Sequence, residues 1–192
     1  MTIGKLIVFC GPSGSGKGTV QKKFLHDPEF NFHFSVSATT REPRKGEVDG
    51  SHYHFLTKDE FQKWVEEDKF LEWAKFINNY YGTPIEPVKK MLDEGKNVFL
   101  EIEIQGVLQV VKKMPEAVTI FLTPPSIKEL EKRLRYRGTE TEEALINRVD
   151  RAKEEIKYAE DKSVFKYMVI NDQVDKASKE VKEILRREID NV

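Results

Sequence analysis

Gly11-Pro-Ser-Gly-Ser-Gly16-Lys17-Gly18-Thr19 follows directly on an apolar run, Lys5-Leu-Ile-Val-Phe-Cys10, and precedes a helical pattern carried by Val20, Phe24 and Leu25. This order of strand, glycine-rich turn and helix decides the fold class. Glycines let the chain turn tightly and aim successive backbone N–H groups into one concavity. The helix N-terminus adds partial positive charge, so the segment reads as an anion cradle. With Gly-x4-Gly-Lys spacing, Lys17 is placed to reach the β- and γ-phosphates of a nucleoside triphosphate. The candidate phosphate-binding residues are Gly11, Pro12, Ser13, Gly14, Ser15, Gly16, Lys17, Gly18 and Thr19. Loops of this kind usually place Ser or Thr after the lysine, where the hydroxyl ligates Mg2+. Here Gly18 stands there, and Thr19 follows as the candidate metal ligand, for Mg2+ held largely through water.

Three further runs, Asn97–Glu103, Ala117–Thr123 and Tyr167–Asn171, are nearly continuous in apolar residues. Strands covered on both faces have that pattern, whereas half-exposed strands alternate. Between and after them lie helical spacings: Leu145, Val149, Ala152, Ile156 and Ala159, then Val174, Ala177, Val181, Ile184, Leu185 and Ile189. Ser126 with Glu129, and Thr57 with Glu60, have capping-box spacing. Strands alternating with helices predict a P-loop, three-layer α/β/α fold with a central, mostly parallel sheet. The core is expected at about residues 1–34, 96–124 and 164–192. From about Ser35 to Tyr81 the rhythm breaks into short strand-like pieces (His52–Leu56, Phe70–Phe76), a short helix near Phe61–Val65 and many aromatics. A small inserted domain is expected there, at about 35–95. The charged break Thr139–Glu143, between two basic helices, suits a mobile lid and a plain solvated helix junction equally well; a helical lid is expected at about 125–163.

Composition narrows the function classes. The 192 residues fit one ordinary domain. Lys and Arg number 32 against 33 Asp and Glu, so no basic excess points to nucleic acid or a membrane surface. A bound anion must therefore be held by a local constellation. One cysteine, Cys10, rules out an intramolecular disulfide and reads as a buried, inert thiol. The N-terminal apolar stretch is too short for a signal peptide or a membrane span, so a soluble, cytoplasmic protein is expected. His52 and His54 share a strand face but lack Asp and Cys partners at metal-ligand spacing. Trp64, Trp73 and Phe34 are expected in the core.

A second constellation goes beyond nucleotide phosphates in general. Ser37-Ala-Thr-Thr-Arg41-Glu-Pro-Arg44 sets two guanidinium forks three residues apart, with Pro43 stiffening the turn. Such a pair could grip a phosphomonoester dianion. Then come Gly50-Ser-His-Tyr53, Glu72-Trp-Ala, Asn79-Tyr80-Tyr81-Gly82-Thr83, and Leu100-Glu101-Ile-Glu103-Ile-Gln105-Gly106 closing a core strand. Ligands of open α/β sheets bind at such strand ends. This ordered set, continued by Arg137-Gly-Thr-Glu-Thr-Glu-Glu and Val169-Ile-Asn171-Asp172, resembles the guanylate kinase family over nearly the whole chain. The resemblance implies transfer of the γ-phosphoryl group of ATP to GMP with Mg2+. It implies that Arg41, Arg44, Tyr53 and Tyr81 hold the GMP phosphate, while Ser37, Glu72, Thr83 and Glu103 read guanine. At the last position the family usually has Asp. The insertion would then be the GMP-binding unit, and Asn171 would lie near the ATP adenine. Arg133, Arg137 and Arg148 would close over the transferring group with Lys17, and Arg135 would point away.

The chemistry of the residues is consistent with this on its own terms. Guanine presents N1–H and an amino group as neighbouring donors, and a carboxylate only accepts. Adenine has a lone pair at N1, which a carboxylate repels. Two acids near the base therefore favour GMP over AMP. Arg133 and Arg137, four apart, share one helix face, although spacing alone favours ordinary surface charge. The alternatives are a nucleoside-monophosphate kinase with another acceptor, or a guanylate-kinase-like peptide-binding module without catalysis. The latter typically carry a degraded phosphate loop, whereas this chain keeps Gly16, Lys17 and Thr19.

Overall fold

The computed structural model of the chain describes residues 3–76, 78–136, 141–161 and 164–190. In chain order the first elements are β1 (Leu6–Cys10), α1 (Lys17–Gln21), β2 (Phe32–His33), β3 (Ala38–Thr39) and β4 (His54–Phe55). Then follow α2 (Lys58–Glu66), β5 (Phe70–Phe76), β6 (Asn79–Pro84), α3 (Ile85–Asp93), β7 (Asn97–Glu101) and α4 (Ile104–Lys113). The last are β8 (Val118–Thr123), α5 (Ile127–Tyr136), α6 (Glu142–Asp161), β9 (Tyr167–Ile170) and α7 (Val174–Asp190).

Five strands form one sheet in the order β2-β7-β1-β8-β9, and every pairing in it is parallel. All residues of β1 and β8 are buried, because helices cover both faces. Ile7 and Phe9 point to one side, against Val20, Phe24 and the α7 residues Ala177, Val181 and Leu185. Leu6, Val8 and Cys10 point to the other, against Val88 and Leu92 of α3 and Val107 and Val110 of α4. The three-layer α/β/α expectation is met. Strand β7 ends at Glu101, two residues short of the expected boundary, because Glu103 is already the N-cap of α4. Phe34 is not in the core: it is 49% exposed, and its ring lies 6.4 Å from those of Phe99 and His26. Trp64 and Trp73 are half-buried beside Phe61 and Phe70.

Residues 38–84 contribute a second sheet, in the order β4-β3-β6-β5, with an antiparallel β5–β6 hairpin. Its aromatic core is built on Phe61, stacked 4.4 Å from Phe70. The Thr57–Glu60 capping box forms in full at the start of α2. At α5 only half of the expected box exists: Ser126 accepts from the Glu129 N–H at 3.1 Å, while the Glu129 carboxylate accepts from Arg133 instead. The outer edge of β5 is tied to the first sheet by α4. Gln109 bonds both the N–H and the carbonyl of Trp73, at 3.1 and 2.7 Å, and Lys113 donates to the Phe70 carbonyl at 2.5 Å.

Candidate active site

The loop after β1 leaves the sheet at its C-terminal edge, where β1 stands between β7 and β8. Ligands of parallel sheets bind at that edge. Gly14 and Gly16 take φ of 88° and 91°, a region that side chains rarely adopt. The Ser15 hydroxyl is buried within the loop and has no partner among the described residues, an orphaned donor of the kind an anion would satisfy. The Lys17 ammonium donates to the Gly11 and Pro12 carbonyls at 2.5 and 3.4 Å. Behind the loop Asn171 is only 2% exposed, and its amide donates to the Ser15 carbonyl at 2.7 Å. Asn171 is thus placed as a buttress of the loop, with little surface open to an adenine ring. Arg133 donates to the Asn171 carbonyl at 2.9 Å, which links α5 to the same buttress.

Facing the loop is a cavity of about 470 Å3 lined by Lys17, Ser37, Tyr53, Glu72, Thr83 and Glu103, among others. Its chemical centre is Glu72. The β5–β6 register sets Glu72 opposite Thr83, and the Thr83 hydroxyl donates to its carboxylate at 2.6 Å. Burial pushes the Glu72 carboxyl above its ordinary range, and the Thr83 hydroxyl and N–H oppose that rise. On its other side the carboxylate lies against Gly106 of α4, where a Cβ would come within 2.6 Å of Oε2. What remains is a buried acceptor at a pocket wall, suited to a neutral ligand edge that presents donors.

Arg41 stands at the Tyr53 end of this cavity. Its guanidinium lies 5.5 Å from the Tyr53 ring centre, and the Tyr53 and Tyr81 rings meet edge to face at 6.3 Å. Glu47 grips Arg41 with both oxygens, at 3.0 and 2.8 Å, and also accepts from the Arg44 N–H at 2.6 Å. The Arg41 bonds, then the Arg44 N–H, hold the Glu47 carboxyl down at about 2. The Arg44 side chain is exposed at the rim.

A second cavity of about 470 Å3 lies between the loop and α6, lined by Ser13, Lys17, Phe76, Glu103, Arg148, Arg151, Ala152 and Glu155. Arg148 donates to the Ser13 hydroxyl. Arg151 reaches across the cleft to Glu103 at 2.9 Å and along its own helix to Glu155 at 2.9 Å. Burial raises the Glu155 carboxyl, a rise that the Arg151 bond opposes. Arg137 lies outside the described residues. Arg135 is turned away, pairing with Glu131 and Glu142.

Sequence reasoning passed over Glu47, Gly106, Arg151 and Glu155. Two of them leave a trace in spacing, since Arg151 follows Arg148 by three residues and precedes Glu155 by four on one helix. Among the described residues no group of three His, Cys, Asp or Glu could hold a metal. Thr19 of α1 is exposed beside the loop, and Glu101 accepts from Gln21 of that helix at 2.8 Å. Such a sparse oxygen set suits Mg2+ carried mainly by phosphates and water.

Comparison with known proteins agrees with this layout. The family model described as guanylate kinase matches residues 3–188. A guanylate kinase of Bacillus cereus is 52% identical over 182 residues, covering 95% of this chain and 87% of the relative. One from Lactococcus lactis is 51% identical over 185 residues, covering 96% and 88%. Among solved structures, guanylate kinase from Anaplasma phagocytophilum superposes with a TM-score of 0.69 at 28% identity, covering 98% of this chain and 87% of that one. The SH3-kinase fragment of tight junction protein 3 has a TM-score of 0.52 at 10% identity, covering 98% of this chain and 59% of that one, a likeness of fold alone.

Proposed function

The chain belongs to the guanylate kinase family, and on that premise we propose that it transfers the γ-phosphoryl group of ATP to GMP, giving ADP and GDP. The observation that carries this reading is the buried Glu72–Thr83 pair in a cavity that also opens on Lys17. An acceptor-only carboxylate suits the N1–H and amino donors of guanine and repels the N1 lone pair of adenine. Donor–acceptor matching of this kind discriminates by about 10⁴–10⁵.

Ser37, Glu72, Thr83 and Glu103 read the base, while Arg41, Arg44, Tyr53 and Tyr81 hold the acceptor phosphate. The reaction needs no side-chain base, because a phosphomonoester with a second pKa near about 6 is mostly dianionic at neutral pH. Its own oxygen attacks. The protein supplies alignment and cover for charge that spreads over the transferring group. Gly11 to Thr19 cradle the donor phosphates, Lys17 reaches the β- and γ-phosphates, and Asn171 fixes the loop from behind. Arg133, Arg137 and Arg148 add positive charge from the lid side. Thr19 would be the protein donor to Mg2+, through water, and the ion would supply positive charge beside the bound triphosphate.

The acceptor unit at about 35–95 and the lid at about 125–163 close on a core that stays fixed, which excludes water. No helix among the described residues is long and apolar enough to cross a membrane, and the cytoplasmic reading belongs to the same proposal. The test is a coupled assay offering ATP with GMP, AMP, UMP or dTMP in turn, with and without Mg2+. Product from GMP alone, requiring Mg2+, supports the reading. Another preferred acceptor, or no ATP consumption at all, defeats it in favour of a different monophosphate kinase or a binding module.

A further inference from the structure

The donor and acceptor cavities share three wall residues: Lys17, Glu103 and Phe76. Two of these are ionic and suit a phosphate-handling cleft. Phe76 is apolar, and its position calls for an explanation. It is the last residue of β5 and is 53% exposed. It belongs to none of the packed clusters formed by the described residues, including the aromatic cluster of its own sheet. Among the described residues its ring meets no other ring, whereas Trp73, three residues earlier, lies within 6.4 Å of Phe61 and 6.0 Å of Tyr80.

Strand geometry explains where it points. Side chains alternate across a strand, so Glu72, Ala74 and Phe76 share one face. All three line the acceptor cavity. On the opposite face, Trp73 packs on the aromatic cluster and Lys75 lies over the Tyr80 ring at 5.9 Å. The cavity face of β5 thus runs from a buried acceptor, past a small residue that leaves room, to an exposed ring at the seam between the two cavities. An apolar ring costs free energy in water and recovers it when covered. At this seam the available cover is bound substrate together with the opposing α6 wall.

We infer that Phe76 is a positioning residue that seals the seam between acceptor and donor, keeping water from the γ-phosphoryl group while the acceptor oxygen is aligned. The inference rests on the GMP-kinase reading. Productive transfer converts ATP and GMP to ADP and GDP. Leakage at the seam instead lets water attack the γ-phosphorus, giving ADP and inorganic phosphate, with the two water protons going to the phosphate and to solvent.

The experiment measures GDP and inorganic phosphate separately, with ATP, GMP and Mg2+, for the wild type, Phe76→Ala and Phe76→Leu. In Phe76→Ala, phosphate released per GDP formed rises by about tenfold, within the ~10²-fold that a misplacement of about 1 Å can cost. Phe76→Leu, which restores apolar bulk, returns the ratio to near the wild-type value. Phe76 is 53% exposed and belongs to no packed cluster among the described residues, so little packing is lost, and an unchanged melting temperature verifies the fold. An unchanged phosphate-to-GDP ratio in Phe76→Ala overturns the inference, as does a ratio raised equally in Phe76→Leu. Absence of GDP from the wild type defeats the GMP-kinase reading itself, which is a different result.

Discussion

Gly106 makes room for Glu72. A Cβ at position 106 would stand 2.6 Å from Oε2 of Glu72, so the glycine in the first turn of α4 leaves the space its carboxylate occupies. Oε1 of the same carboxylate accepts from Thr83 at 2.6 Å. The acceptor is therefore fixed from two sides, by α4 and by the neighbouring strand β6. Gly106→Ala must push Glu72 out of register with the base. The KM for GMP is expected to rise about tenfold or more, as the loss of one hydrogen bond to a charged group would require. The KM for ATP stays near the wild-type value, and steady-state kinetics in both substrates check the split.

Glu72→Gln separates recognition from stability. Burial raises the Glu72 carboxyl, so folding favours its protonated form. That stabilising contribution is fully present below the ordinary carboxylate value and is lost as pH rises through the raised one. At neutral pH the charge thus opposes folding, and a neutral amide relieves it. The variant is expected to melt no lower than wild type at pH 7, while kcat/KM for GMP falls about 10- to 100-fold. A large loss of melting temperature would show that Glu72 serves the fold rather than the base.

Glu47 carries the opposite sign. Its carboxyl is held at about 2, from an ordinary 4.5, by Arg41 and then by the Arg44 N–H. The contribution is present above the ordinary value and lost as pH falls towards the folded one. Glu47 therefore orients Arg41 throughout the neutral range. Glu47→Gln is expected to raise the KM for GMP several-fold while kcat changes little, because the guanidinium remains but is less well aimed. Arg41→Met removes the fork altogether, and turnover should fall by about 10²-fold or more. Equal effects from the two substitutions would contradict this division of roles.

Lys17→Met tests the donor side. Among the described residues the ammonium bonds only loop carbonyls, those of Gly11 and Pro12, so its removal leaves the core untouched. Turnover is expected to fall by about 10³-fold with the circular-dichroism spectrum and melting temperature retained. Retained turnover would remove the lysine from its assigned role.

What could be read from the chain without coordinates follows physical range. The strands beside the phosphate loop announce themselves because burial on both faces leaves continuous apolar runs, as in Leu6–Cys10. The edge strand Phe32–His33 is two residues long and gives no period to detect. Asn79–Pro84, with its glycine and proline, carries no strand pattern of its own and is extended because it pairs with β5. The start of α4 was hidden in the apolar continuation of β7, where helix and strand patterns coincide. Phe34 looked like core and is exposed, since an apolar residue can equally stand on a surface. The loop and Arg41 lie in local motifs. Glu103 and Arg151 are 48 residues apart, and their contact exists only through the fold.

The Cys10 thiol is buried beneath the loop and is pushed up to about 12, chiefly by desolvation. Only a thiolate reacts readily with alkylating reagents. The native protein is expected to resist iodoacetamide at pH 8 with phosphotransfer intact, and to be labelled at the rate at which it unfolds. Rapid labelling of the native state, read by intact mass, would contradict the burial assigned to this residue.

Arg151 offers a last asymmetry. It bonds Glu103, whose side chain is 58% exposed, and Glu155, whose side chain is 12% exposed. An exposed ion pair contributes little to stability, whereas a carboxylate left buried without its partner is costly. Arg151→Ala should therefore lower the melting temperature at pH 7, and Glu103→Gln should scarcely change it. The damage lies in the stranded Glu155, so the double variant Arg151→Ala with Glu155→Ala should recover most of the loss. Because burial raises the Glu155 carboxyl, removing Arg151 raises it further, and the deficit should shrink as pH falls and Glu155 takes up its proton. Melting temperatures of these variants between pH 5 and 8 decide the matter: a deficit equal at both ends, or unrelieved in the double variant, would place the role of Arg151 elsewhere.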